Sequence, residues 1–237
     1  MQIHELSQHN TKFWVLDDAY ADFNMTWFRG EHSESLINTA MWKAGRQAVA
    51  RLSIAGETMI KRHYCRGGVP ARLTKDKFVF RGYQASRSYQ ELKLLALMRK
   101  LALPVPKPVA ASCSRHGLFY TADILMHEIP NTVTLAQALL RTSLDEKLWL
   151  HIGEVICRFH KNGIHHVDLN ANNILLDQDE KVFLIDFDRC SKKPYSKNWA
   201  SKGLQRLHRS LQKEKSLNSQ MNFDENMFDM LKQGYAV

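Results

Sequence analysis

Ile164-His165-His166-Val167-Asp168-Leu169-Asn170-Ala171-Asn172-Asn173-Ile174-Leu175-Leu176, followed by Val182-Phe183-Leu184-Ile185-Asp186-Phe187-Asp188, is the stretch from which the whole chain is read. It puts a carboxylate, Asp168, on a tight polar loop and an amide, Asn173, five residues on. An apolar strand follows, then a turn, then a second apolar strand that ends on Asp186. Phosphoryl transfer from a nucleotide needs such a set. One carboxylate orients the attacking hydroxyl; an amide and a second carboxylate hold the Mg²⁺ that neutralises the phosphates. Asp, Asn and His also crowd ordinary turns, because their side chains bond nearby backbone. The specificity lies in the joint order of loop, strand, turn and strand.

The spacing His-x-Asp-x-x-x-x-Asn fits the kinase catalytic-loop pattern, and Asp186-Phe187-Asp188 stands where kinases carry Asp-Phe-Gly. A chain of 237 residues with 44% hydrophobic residues suits one domain or two small lobes around a sizeable core. The cysteines Cys65, Cys113, Cys157 and Cys190 lie far apart, with no ligand spacing, and read as reduced thiols of a cytosolic protein. Met1-Gln2-Ile3-His4-Glu5-Leu6 is not a secretory signal. No run of about 18 uninterrupted apolar residues is present to span a membrane. The net charge of +9 permits an acidic partner: nucleic acid, nucleotide or anionic membrane. No nucleic-acid module is recognised, so nucleic acid is not expected.

Upstream, Lys12-Phe13-Trp14-Val15-Leu16 reads as a short strand, and the aromatics of residues 1–30 as packing. Residues 45–64 read as a β-hairpin turning at Ala55-Gly56-Glu57-Thr58. A cation on its returning strand is expected to meet nucleotide phosphates. Lys61 and Arg62 are both candidates, and alternation lets only one point inward. Arg62 is favoured because it shares a face with Ile60. Gly45 is nearly alone, so no multi-glycine cradle precedes the hairpin. Cys65-Arg66-Gly67-Gly68-Val69-Pro70 is a basic turn, either a plain loop or an anion contact. Ser88-Tyr89-Gln90-Glu91 opens a helix as a capping box, and its Glu91 is the candidate partner of the strand cation. Leu103-Pro104-Val105-Pro106-Lys107-Pro108 ends that helix, and Leu118–Met126 reads as strands. Residues 126–131 are placed as a hinge whose backbone could bond an adenine edge. The domain boundary therefore falls at 128/129.

Downstream, Ser143-Leu144-Asp145-Glu146 is a second capping box. Leu148, Ile152, Val155, Ile156 and Phe159 then mark one apolar helix face, ended near Gly163. His160, His165 and His166 lack companion metal ligands. His166 reads as a backbone-bonded loop residue and His165 as an exposed one. Beyond Asp188 the chain is basic, and Trp199–Ser216 reads as an amphipathic helix with a cationic face, either solvated or in contact with anionic lipid.

Arg62–Gly68, Leu103–Pro108, Tyr120–Leu125, His166–Leu176 and Leu184–Cys190 together resemble the lipopolysaccharide-core kinases of Gram-negative bacteria, and among them the 3-deoxy-D-manno-octulosonic acid (Kdo) kinases. The resemblance runs from about residue 45 almost to the C-terminus. It implies an α+β, two-lobed protein-kinase-like fold, with a small β-rich N-lobe over residues 1–128 and a reduced helical C-lobe over 129–237. It implies ATP and Mg²⁺ as cofactors, and transfer to the 4-hydroxyl of Kdo on the anionic glycolipid Kdo-lipid IVA. The work would be done peripherally, at the cytoplasmic face of the inner membrane. Asp168 would then be the catalytic carboxylate, Asn173 and Asp186 the metal ligands, and Arg62, with Lys61 beside it, the phosphate cation held by Glu91. Val167 replaces the arginine of His-Arg-Asp, which speaks against control by a phosphorylated activation loop. The short chain after Asp186 disfavours a protein substrate. An aminoglycoside-type phosphotransferase and a non-catalytic kinase-like binding module are the competing readings.

Overall fold

The computed structural model describes residues 2–28, 48–54, 56–66 and 76–236. Gly45, the Gly67-Gly68-Val69-Pro70 turn, and Gln47 and Ala55 of the expected hairpin lie outside the described residues. The chain divides into two compact units, Met1–Lys100 with Pro106–Glu128, and Leu101–Val105 with Ile129–Val237. The first is rich in β-strand and the second in helix, as an α+β chain requires. No helix among the described residues is long and apolar enough to cross a membrane.

Alternation of side chains across strands organises the first unit. Its elements are β1 (Ile3–Gln8), β2 (Thr11–Leu16), α1 (Asp17–Tyr20), β3 (Ala48–Ile54), β4 (Glu57–His63), β5 (Phe78–Val79), α2 (Arg87–Lys100), β6 (Pro108–His116) and β7 (Phe119–His127). Seven described strands form one antiparallel sheet in the order β1-β2-β6-β7-β4-β3, with β5 added to β7. On β2, Val15 joins an apolar cluster with Trp27, Leu52, Ile54, Met59, Val109, Ala110 and Leu125. Trp14, its neighbour, turns to the opposite face and packs on Tyr89 of α2 at 4.7 Å. Phe13 lies among Phe23 and Phe28, so the early aromatics do serve as packing. The β3–β4 hairpin forms with Gly56 at φ 78°, a left-handed turn position that suits glycine.

The expected capping box at Ser88 is not formed. Ser88 lies inside α2 and its hydroxyl donates to the Ser112 carbonyl at 2.8 Å, while Glu91 is drawn away by stronger partners. A buried charge-assisted bond outweighs a cap that water could replace.

The second unit contains β8 (Val133–Thr134), α3 (Leu135–Arg141), α4 (Glu146–Lys161), β9 (Ile164–His165), β10 (Ile174–Leu176), β11 (Val182–Leu184), β12 (Ser191–Lys192), α5 (Lys197–Leu217) and α6 (Glu225–Ala236). The segment Leu101–Val105 belongs to it because Pro104 accepts from the Leu184 amide and Ala102 from Arg158 Nη2. α4 is capped by Asp145, which accepts from the Leu148 amide, and not by Ser143. The Thr134/Gln137 pair forms a complete capping box on α3 instead. The apolar face of α4 is buried as its spacing requires, each large aliphatic or aromatic side chain contributing about 1.5–3 kcal/mol.

α4 and α6 meet backbone to backbone. A Cβ on Gly153 would stand 2.0 Å from the Leu231 carbonyl oxygen, and one on Gly234 1.9 Å from that of Leu150. Neither overlap can be relieved by a side-chain rotation. We expect Gly153→Ala or Gly234→Ala to lower the unfolding free energy by about 3 kcal/mol, measured by urea unfolding. A loss under about 0.5 kcal/mol in both would show that the helices can separate freely.

Candidate active site

The loop between β9 and β10 is held by its own side chains. His166 is buried, with Nε2 3.0 Å from the Ile185 carbonyl oxygen and Nδ1 3.3 Å from the Asp168 amide. A carbonyl only accepts, so Nε2 carries the proton and Nδ1 accepts. Burial lowers the His166 pKa, which keeps the ring neutral and able to do both. Asn170 Oδ1 accepts the amides of Asn172 (2.9 Å) and Asn173 (3.1 Å), closing the turn. The Asp168 carbonyl accepts from Asn170 Nδ2 (3.0 Å) and Asn173 Nδ2 (2.9 Å). The Asp168 carboxylate stays about half-exposed.

Asp186 follows directly from this frame. The Ile185 amide donates to the Asn173 carbonyl at 3.0 Å, so the residue before Asp186 is bonded to both ends of the loop. Asp186 itself sits at φ 63°, a left-handed conformation that Asp tolerates better than most residues. Phe187 is buried between His166 (4.8 Å) and Phe159 of α4 (5.9 Å), which anchors the turn. Asn173 spends its NH₂ group on the Asp168 carbonyl, which leaves Oδ1 as the acceptor end of the amide. An amide oxygen and a carboxylate are hard oxygen donors that fit Mg²⁺, an ion that keeps several waters and takes further oxygens from substrate phosphates. Among the described residues no group of three or more His, Cys, Asp or Glu side chains is gathered for a metal. His165 is half-buried, not exposed, because Trp199 packs on it at 5.2 Å.

In the first unit the choice between Lys61 and Arg62 has a geometric answer. Arg62 is 6% exposed and pairs through Nη2 with Glu91, itself 2% exposed. Tyr64 OH donates to the same carboxylate at 2.6 Å, and the guanidinium lies 4.9 Å from the Tyr64 ring centre. Burial, and next the Glu91 charge, raise the Tyr64 pKa well above its ordinary value, so the phenol remains a donor. Lys61 turns to the other side and bonds the Phe28 carbonyl. Near the expected hinge, the amides of His127 and Glu128 donate to the Lys107 and Thr58 carbonyls, within the sheet of their own unit. Arg66 lies over the Phe78 ring at 5.4 Å.

The model of the lipopolysaccharide kinase (Kdo/WaaP) family matches residues 30–235. The chain belongs to this family. It is 34% identical over 229 residues to a 3-deoxy-D-manno-octulosonic acid kinase of Vibrio parahaemolyticus, covering 97% of this chain and 95% of that protein. It is 40% identical over 186 residues to a protein of the same name from Photobacterium profundum, with 78% of each covered. Membership makes the chain a kinase, with ATP as the phosphoryl donor that such enzymes use.

Several side chains that bond the Asp168 loop in the second unit, or the Arg62–Glu91 pair in the first, are not singled out by the sequence. Asn170 and Tyr64 are two; their signal was only that of a turn-forming Asn and of a Tyr two residues beyond Arg62 on the strand. The third is a set on α5. Arg206 Nη1 lies 3.2 Å from Asp168 Oδ1. Ser210 Oγ accepts the Ala171 amide at 3.2 Å, and Glu214 Oε1 accepts from Asn172 Nδ2 at 3.1 Å. The expected cationic face of this helix is thus partly turned inward. Lys215 is likewise spent on the Ser219 (2.9 Å) and Met221 (2.6 Å) carbonyls.

Arg62→Ala strands a buried carboxylate and is expected to cost about 3–5 kcal/mol, whereas Lys61→Ala loses one bond to a carbonyl and costs about 1 kcal/mol. Chemical denaturation of both variants checks the order, and equal losses would contradict the assignment. A second expectation concerns acid. Burial lowers His160 from 6.5 to about 4. Below pH 6.5 the unfolded chain binds a proton that folded His160 refuses, so its contribution to stability falls as pH drops from 6.5 towards about 4 and levels off beneath. In unfolding measurements between these limits, His160→Gln should show a shallower pH slope than wild type.

Proposed function

We propose that this kinase transfers the γ-phosphoryl group of ATP to the 4-hydroxyl of Kdo on Kdo-lipid IVA, working peripherally at the cytoplasmic face of the inner membrane. The observation that carries the reading is the loop in which His166, Asn170 and Asn173 fix Asp168 and tie it to Ile185-Asp186. The acceptor is taken from what the relatives are named.

Asp168 accepts a hydrogen bond from the sugar hydroxyl and aims its oxygen at phosphorus. A new O–P bond forms, the bond from the γ-phosphorus to the β–γ bridging oxygen breaks, and ADP leaves. The hydroxyl proton passes to Asp168 and then to solvent. Asn173 Oδ1 and Asp186 would hold Mg²⁺, which when bound neutralises charge on the phosphate oxygens. Arg62, kept in place by Glu91 and Tyr64, is the cation assigned to the nucleotide phosphates. Positioning and electrostatics dominate such chemistry, so none of these groups needs unusual reactivity.

The charge of +9 is consistent with an acceptor that carries phosphates and carboxylates in an anionic leaflet. Each basic residue close to such a surface gains about 1 kcal/mol, enough together for reversible attachment. An aminoglycoside-type acceptor, being cationic, would draw nothing from this charge.

Transfer of labelled γ-phosphate from Mg-ATP to Kdo-lipid IVA tests the proposal. Wild type should transfer, and Asp168→Ala should lose about 10³-fold or more in kcat with ATP binding retained. Transfer by the variant at the wild-type rate would remove Asp168 from its role. Absence of transfer by wild type, with ATP bound, would discard the acceptor.

A further inference from the structure

The loop Ile164–Asn173 contains no Lys or Arg, although it carries the carboxylate to which an anionic acceptor must come close. A cation reaches that carboxylate from elsewhere. Arg206, two turns into α5, sets Nη1 3.2 Å from Asp168 Oδ1 and remains about half-exposed. It is the first of three residues at i, i+4 and i+8 that fasten this helix to the loop, with Ser210 on the Ala171 amide and Glu214 on the Asn172 side chain. Gly203, one turn earlier on the same helix, faces His160 and Leu169. Ser210 and Glu214 complete neutral or amide bonds of the loop. Arg206 differs: one of its five N–H donors goes to Asp168, and a guanidinium fork can engage a second carboxylate side by side with the first.

We infer that Arg206 is a specificity-determining residue that binds the acceptor's own carboxylate while Asp168 takes the acceptor hydroxyl. The inference rests on the acid-sugar acceptor of the proposed function. In Kdo the carboxyl carbon and the carbon bearing the 4-hydroxyl are separated by three carbon–carbon bonds, so the two groups of one sugar ring arrive together at neighbouring side chains. Planar, bidentate pairing with a carboxylate is what Arg provides and Lys does not. A neutral sugar would leave the guanidinium with Asp168 alone and would gain no orientation from it.

The test compares Kdo-lipid IVA with its carboxyl-reduced counterpart, in which the carboxylate is a hydroxymethyl group, at saturating Mg-ATP. Wild type should prefer the acid by roughly 100-fold in kcat/KM. Arg206→Gln should lose roughly the same factor on the acid, chiefly through acceptor KM, and no more than about threefold on the reduced acceptor, with KM for ATP unchanged. Arg206→Lys should recover part of the loss on the acid only. Equal losses on both acceptors would overturn the inference, because Arg206 would then act only through Asp168 or on the transferred phosphoryl group. A wild type that uses both acceptors equally overturns it without any variant, so a poorly folded Arg206→Gln protein cannot protect it. A wild type that binds ATP and phosphorylates neither acceptor overturns the proposed function, and this inference with it.

Discussion

A neutral imidazole can give one hydrogen bond and take one, and the second unit is arranged around His166 doing both. Its Nε2 gives to the carbonyl of Ile185 and its Nδ1 takes from the amide of Asp168. Asp186 and Asp168, the residues proposed for metal and acceptor, are therefore each one short step from the same ring. Protonation would turn the accepting nitrogen into a donor facing another donor, and burial opposes that by disfavouring the charged ring. Everything beneath serves to keep the ring in place. Phe187 packs on it, Phe159 packs on Phe187, and α4, which carries Phe159, is braced by a glycine contact with α6. The loop's own bonds, from Asn170 and Asn173, and this stack beneath His166 together hold the backbone that carries the Asp168 carboxylate.

The first unit uses a different device for the same end. Arg62 and Glu91 lose more hydration on burial than an exposed pair would, and a buried pair is weak ground for stability. What the pair contributes is direction. Glu91 accepts from Arg62 and from Tyr64, and Tyr64 also accepts from Arg62 at 3.2 Å, so three buried side chains fix one another. Both bonds leave from Arg62 Nη2, whose two N–H groups are fixed in the guanidinium plane; a lysine would supply a point charge with freely rotating donors instead.

Much of this was readable in the sequence because local rules decide it. The polar loop, the strands around it and the apolar face of α4 follow from residue type and spacing alone. Alternation with Ile60 favours Arg62 over Lys61, but it is the three-dimensional structure that shows which face of the strand holds Glu91. The capping boxes failed for a related reason. Ser88 and Ser143 fit the pattern, yet Glu91 had a buried cation to meet and Asp145 lay nearer the first free amides of α4. The α4–α6 contact left only two glycines as its trace, and a glycine in a helix reads first as a weakness.

The basic helix was the hardest to read, because charge periodicity does not say what each charge faces. A net +9 suggests one basic surface with one purpose. The structure distributes the charges among separate tasks: Arg206 goes to Asp168, Lys215 to the carbonyls that follow the end of α5, and Lys193 onto the Trp199 ring at 5.3 Å. An argument from net charge to an anionic surface must therefore subtract the cations already engaged inside the molecule. Those that remain exposed on α5, Lys202, Arg209 and Lys213 among them, are spread along the helix that bonds the Asp168 loop. The same helix thus carries these exposed cations together with Arg206, Ser210 and Glu214, the side chains that bond the Asp168 loop, so a count of its charges cannot by itself say which of them face solvent.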